Sequence, residues 1–357
     1  MWRPISSFSI KNFFSRALTQ YQLFFETVSK LFARYTALTL ADWGKRIDPN
    51  GKVDKIIELL SQTNPILQDM LIVEGNLPTG HRTTIRSGLP SATWRLLNYG
   101  VQPSKSTTVQ VTDGIGMLET YAEIDKSLAD LNGNTAEFRL SEDRAFIEAM
   151  NQQMAQTLFY GDTSVNPQQF MGLSSRYSDL TATNAQNIID AGGTGTDNTS
   201  IWLIVWGENT VHGIFPKGQK AGLQMEDKGQ QTLKDANGGQ YEGYRTHYKW
   251  DNGLCLRDWR YVVRIANIDI SDLSDPAAAA NIAKLMVKAL HRIPNRGMGR
   301  PVFYMNRTVA QALDLQSLEK SSLAISVKET EGEWWTSFRG VPIRETDALL
   351  ETEARVV

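Results

Sequence analysis

Cysteine is nearly missing from this sequence. Cys255 stands alone among 357 residues, which excludes an internal disulfide and a cluster of metal-bound thiolates and fits a reducing compartment. Long apolar runs are missing too. The strongest, IWLIVW at 201–206, is strand-sized and far short of the ~20 residues of a membrane helix. Charge of one sign is not in excess: the net charge of −2 offers no broad positive field for nucleic acid. A G-x-S-x-G elbow, an H-E-x-x-H pair and long internal repeats are all absent. The length suggests about two domains with a sizeable core.

Several stretches imitate catalytic or binding motifs and fall short. GNLPTGHRT at 75–83 has the outline of a phosphate-binding loop, but His81 stands where lysine belongs and the following residues look like a hairpin strand. DLNGNTAEFRLSE from Asp130 offers three calcium-loop ligands, then places Thr135 and Ser141 where Gly and Glu are required. The four histidines, His81, His212, His247 and His291, do not pair on any one element, which leaves only a constellation assembled by the fold. Cys255 lies between Leu254 and Leu256 and reads as a packed thiol. Trp202 and Trp206 share one strand face, the pattern of a core rather than of a sugar platform. No catalytic residue, cofactor site or metal site emerges, and the chain does not read as an enzyme.

What is present is a sequence of elements. Residues 1–36 carry five basic residues against Glu26 alone, so the segment holds +4 and the remainder −6 of the whole-chain −2. Its apolar positions make one broad helical face, that of a partner-contacting or dispensable extension, with a targeting peptide as the alternative. VDKIIELL at 53–60 reads as a short amphipathic helix. Residues 74–126 are punctuated by Gly and Pro, and TTIR, ATWRLL and TTVQV read as strands of a long hairpin too polar for a core of its own. A helix follows over 141–160, with Ser141 as its cap, Glu142 and Asp143 in its first turn, and Phe146, Ala149, Met150, Met154 and Leu158 as its stripe. Gly161 ends it in the left-handed conformation expected of a helix-terminating glycine, Pro167 sets a turn, and Gly172 precedes re-entry into a core. IWLIVW and WRYVVRIANI are buried strands, a helix starts at Asp275-Pro276, and PVFYMN is a strand ending at Asn306 as the cap of a helix over TVAQAL.

This ordered set resembles the major capsid proteins of tailed bacteriophages with the Hong Kong 97 type fold. The resemblance is carried by the hairpin at 75–116, the helix at 141–160, its exit FYGDTSVNPQQFMGL, VFYMNRTVAQAL and FRGVPI. WGENTVHGIFPKGQKAGL and LRDWRYVVRIANID are closer still to capsid subunits of short-tailed phages of the epsilon-fifteen kind. These two stretches precede VFYMN and FRGVPI, earlier than the usual order, which suggests rearranged connectivity.

The resemblance implies an α+β phage capsid fold. Its parts would be an extension at 1–36, an N-terminal arm at 37–73 and an extended hairpin loop at 74–126. A spine helix with a peripheral domain would fill 127–175, and an axial domain with a β-rich insertion 176–357. It implies a head protein that assembles with itself into hexamers and pentamers of an icosahedral shell, with scaffold, portal and decoration proteins as partners. Packaged DNA would be met only non-specifically, and no membrane is involved. The location would be the virion, with assembly in the host cytoplasm. Arg82, Arg86 and Arg95 on the hairpin are expected to meet acidic groups of another subunit, near Glu142 or Asp143. The alternative class is a β-rich sugar-binding or hydrolytic phage surface or tail protein.

Overall fold

The computed structural model describes residues 62–357 apart from 132, 134, 236, 275–279, 320–324 and 331–332. The extension at 1–36, the helix expected at 53–60 and most of the expected arm lie outside the described residues. The described chain begins with a short helix α1 (Ile66–Asp69) and strand β1 (Ile72–Glu74). The hairpin strands β2 (Gly80–Gly88) and β3 (Thr107–Gly114) come next, then β4 (Gly116–Asp125), a single turn α2 (Lys126–Ala129) and the long helix α3 (Thr135–Tyr160). After the short α4 (Leu173–Arg176) come β5 (Ile188–Asp190), β6 (Asn198–Trp206), β7 (Val211–Phe215), β8 (Gln224–Lys234), β9 (Gln240–Leu256) and β10 (Val262–Asp269). Helix α5 (Ile282–Arg292), strand β11 (Arg300–Met305) and helix α6 (Arg307–Glu319) precede the closing strands β12 (Ile325–Thr330), β13 (Glu333–Phe338) and β14 (Val341–Glu345). The chain groups into two compact units. One takes residues 120–146 and 225–248; the other takes the remaining described residues.

The larger unit is built on β6. All nine of its residues are buried, which is why residues 201–206 are a continuous apolar run rather than an alternation. It pairs antiparallel with β10 and β11, and β14 extends the sheet parallel to β11. At the other end β7 pairs antiparallel with β9 and parallel with β1. Ile201, Leu203 and Val205 face a core completed by α5 and α6. Trp202, Ile204 and Trp206 face the opposite core, completed by Met154, Ala155, Leu158 and Phe159 of α3 and by Phe170 and Leu173. The two tryptophans are core residues, as their shared face implies. Asn306 caps α6 as expected, its Oδ1 accepting from the Val309 amide at 2.9 Å. The β13–β14 turn uses Arg339 and Gly340, both at positive φ (51° and 81°), the twist that a two-residue hairpin favours.

The smaller unit contains the β8–β9 hairpin, which turns at Asp235–Gly239, with the ends of β4 and α3. Its apolar core is small: Ile124, Leu128, Ala129 and Phe138, with Tyr244 packed against them. Charged pairs surround it. Arg139 meets Asp227 at 2.7 Å and lies 5.0 Å above the Tyr244 ring, while Arg245 sits 4.1 Å above Tyr121 and 3.0 Å from Glu123.

Three expectations are corrected. Helix α3 starts at Thr135, not Ser141, because TAEFRL is itself helix-forming and Phe138 is buried. Ser141 donates to the Phe138 carbonyl inside the helix (2.8 Å), and Glu142 and Asp143 are buried rather than exposed at a helix start. Helix α5 starts at Ile282, capped by Asn281, and residues 280–281 before it are not helical; the start expected at Asp275-Pro276 lies outside the described residues. ATWRLL at 92–97 is not a strand but part of an irregular exposed loop; with no partner strand beside it, its β-propensity has nothing to pair with.

Candidate subunit interface

The hairpin β2–β3 pairs Gly80 with Gly114, His81 with Asp113, Ile85 with Val109 and Arg86 with Thr108. It is a two-stranded sheet of its own, an arrangement that is marginal unless another surface covers it. Its base is anchored. His81 and Asp113 are buried, Asp113 lies 2.9 Å from the Arg176 guanidinium, and its other oxygen accepts from the Leu256 amide at 3.4 Å. Beyond the strands, residues 89–106 are exposed throughout. Leu89, Trp94, Leu96, Leu97, Tyr99 and Val101 present their side chains to solvent, and Trp94 is completely exposed. Singly exposed apolar residues are ordinary, but six within thirteen positions make a patch of the kind that marks a contact surface.

Arg82 and Arg86 lie on one face of β2, and both are exposed, as is Arg95 in the loop. The Arg82 Nε donates to Thr112 Oγ1 at 3.3 Å across the hairpin. Glu142 and Asp143 are not arrayed beside them: both are buried in α3. Burial pushes the Asp143 carboxyl above its ordinary value, against a smaller opposing effect of the Tyr248 hydroxyl.

The turn from α3 into the core is tightly built. The Gly161 amide donates to the Thr157 carbonyl at 2.8 Å, and the Gly172 amide donates to the Gly161 carbonyl at 2.8 Å. A Cβ on Gly161 would lie 2.4 Å from the Phe170 carbonyl oxygen; one on Gly172 would lie 2.6 Å from that of Thr157. Gly161 is not at positive φ, which corrects the expected reason for a glycine there: the requirement is close backbone approach. Pro167 is exposed and follows Asn166, whose carbonyl accepts from the Gln169 amide at 3.1 Å, so the proline sits at the second position of a turn.

The fold also assembles groups that the linear sequence scatters. Arg264, buried within WRYVVRIANI, donates to Ser200 (3.0 Å), the Tyr177 carbonyl (2.8 Å) and Glu353 (2.8 Å). Glu353 also accepts from Tyr160, the last residue of α3, and from Ser200. Asn267 holds the Val356 amide and carbonyl at 2.8 and 2.9 Å, so the C-terminal segment is strapped to the sheet. An arginine inside an apolar strand signals a buried partner; its location 89 residues away carries no sequence signal. His81, His212 and Cys255 likewise converge from three strands. Burial pushes the Cys255 thiol up to about 12 and, with Arg257 nearby, His212 down to about 4.

A long helix packed on a two-sided sheet, with an exposed hairpin rising from an anchored base, is the construction of a phage shell subunit of the Hong Kong 97 type. The chain belongs to the family described as major capsid protein GP7, which matches residues 48–357. It is similar to a chain in the structure of bacteriophage epsilon15, with 36% identity over 90% of this chain and 98% of that one and a TM-score of 0.71. The bacteriophage JBD30 capsid is matched at 8% identity and TM-score 0.46, covering 83% of this chain and 95% of that one. The capsid of a native GTA particle is matched at 10% and 0.44, covering 65% and 99%. No curated protein matches the chain. Family membership makes the chain a shell-forming head protein of the virion, which sets aside the sugar-binding or hydrolytic alternative. Among the described residues no helix is long and apolar enough to cross a membrane.

Proposed function

We propose that the chain forms hexamers and pentamers of an icosahedral shell in which each hairpin lies across a neighbouring copy. The observation that carries this reading is the exposed apolar loop at 89–106 on a hairpin whose base is anchored. Burying that patch on a second copy removes apolar surface from water at about 25 cal/mol per Å², while the arginines along β2 fix register and discourage wrong partners. Because the chain's own Glu142 and Asp143 are buried, the acidic surface that meets Arg82, Arg86 and Arg95 is expected on other elements of the neighbour.

The hairpin acts as the extended loop at 74–126 and α3 as the spine of the segment 127–175. Residues 37–73 act as the arm and 176–357 as the axial domain and its insertion. Gly161, Pro167 and Gly172 act as the fixed joint between spine and plate, not as an interface. Assembly takes place in the host cytoplasm with scaffold, portal and decoration proteins. The extension at 1–36 serves a partner or is absent from mature particles.

The test is the double variant Trp94→Ser, Leu97→Ser. The expected result is a subunit with an unchanged urea midpoint that no longer forms particles. Normal particle yield from this variant would contradict the docking role.

A further inference from the structure

We propose that His81, His212 and Cys255 form a binding site for one thiophilic closed-shell cation, zinc(II) or copper(I), which pins the base of the hairpin to the central sheet. The ligand atoms of the three residues lie within 4.8 Å of one another, and a tetrahedral site with bonds of 2.0–2.3 Å spaces its ligand atoms by roughly 3.4 Å. Small side-chain rotations close that gap. The three side chains come from β2, β7 and β9 respectively, and all are buried: His212 and Cys255 completely, His81 to 6% exposure.

The second observation is an orphan. Neither ring nitrogen of the wholly buried His212 has a hydrogen-bond partner, nor does Nδ1 of His81. A buried imidazole without partners is costly, and such a group calls for a water, an ion or a role.

The chemistry of the donor set narrows the cation. Two imidazoles and a thiol are soft and borderline ligands, suited to zinc or copper(I) and unsuited to magnesium or calcium. Binding displaces the Cys255 thiol proton to water, so the ion meets a thiolate. That single negative charge balances a monovalent ion. A divalent ion draws also on Asp113, which faces Cys255 and both histidines but is already paired with Arg176. Arg257, 3.3 Å from Nε2 of His81, faces the site as well and disfavours excess positive charge. Nδ1 of His81, which has no partner, is the ligating nitrogen; Nε2 then keeps the ring proton, and the Arg257 guanidinium, itself a donor, turns away from it.

The consequence is mechanical. The hairpin strand β2 touches the sheet at Thr83 Oγ1, 3.7 Å from the Cys255 sulfur, and a cation would add bonds from β2 to both β7 and β9. The test starts with the full-length chain purified under reducing conditions. Its metal content is measured by mass spectrometry, and the chelator-stripped chain is titrated with cobalt(II), zinc(II) and copper(I) in separate arms. The expected result is about one ion per chain and a thiolate-to-cobalt charge-transfer band. Cys255→Ala removes the band, and His212→Gln weakens binding by at least ~100-fold. Stronger retention of zinc or of copper identifies the ion. Hydrogen exchange of 80–88 slows when the ion is added. A wild-type chain that retains no metal and binds none of the three probes overturns the site. Binding that survives Cys255→Ala unchanged also overturns it. The wild-type titration decides even where a variant fails to fold.

Discussion

At Gly161 the chain leaves α3 and doubles back against itself, with the Phe170 and Thr157 carbonyls both where a side chain would begin. Gly161→Ala and Gly172→Ala are each expected to destabilise the subunit by about 1–3 kcal/mol, the usual cost of overpacking, and to lower the urea midpoint accordingly. An unchanged midpoint for both would show that the turn relaxes freely. Asp143 gives a pH signature of its own. Burial raises its folded-state carboxyl above the ordinary 3.8. The native state therefore holds a proton that the unfolded state has released, and this contribution is fully present below about 3.8 and lost as pH rises through the folded value. Asp143→Asn removes the ionisation. Its stability relative to the parent should rise from pH 4 to pH 7 in urea melts, and a difference that stays constant with pH would count against the assignment.

At the scale of elements, the hairpin divides into an anchored base and a free outer part. Arg86→Glu reverses charge on an exposed face and should leave the fold intact within about 0.5 kcal/mol. Assembly should weaken, and the loss should shrink as salt screens the repulsion. Equal particle yield at low and high salt would reject an electrostatic role. Much of this architecture was legible in the sequence because it rests on local pattern. The apolar run at 201–206, the Asn306 cap and the Gly/Pro punctuation of the hairpin each show as local signals. The start of α3 was misread because Ser141 is a good cap in isolation, whereas the buried Phe138 extends the helix past it. The Gly161 conformation was misread because local rules favour positive φ, whereas the tertiary approach of Phe170 sets the need. The Arg264–Glu353 pair and the His81–His212–Cys255 convergence depend on strand order, which no local window contains.

At the scale of the whole molecule, the subunit combines a deeply buried two-sided sheet with an exposed apolar loop that none of the other described residues covers. The first property gives the larger unit an apolar core on each face of β6. The second fits the proposed assembly, in which repeated modest contacts around closed rings supply avidity. The most direct measurement is electron cryo-microscopy of particles purified from cells expressing this chain. The expected image is a closed shell, or five- and six-fold rings, with density for residues 89–106 seated on the neighbouring copy. A discrete monomer or trimer, or a shell in which that loop contacts only its own subunit, would contradict the account.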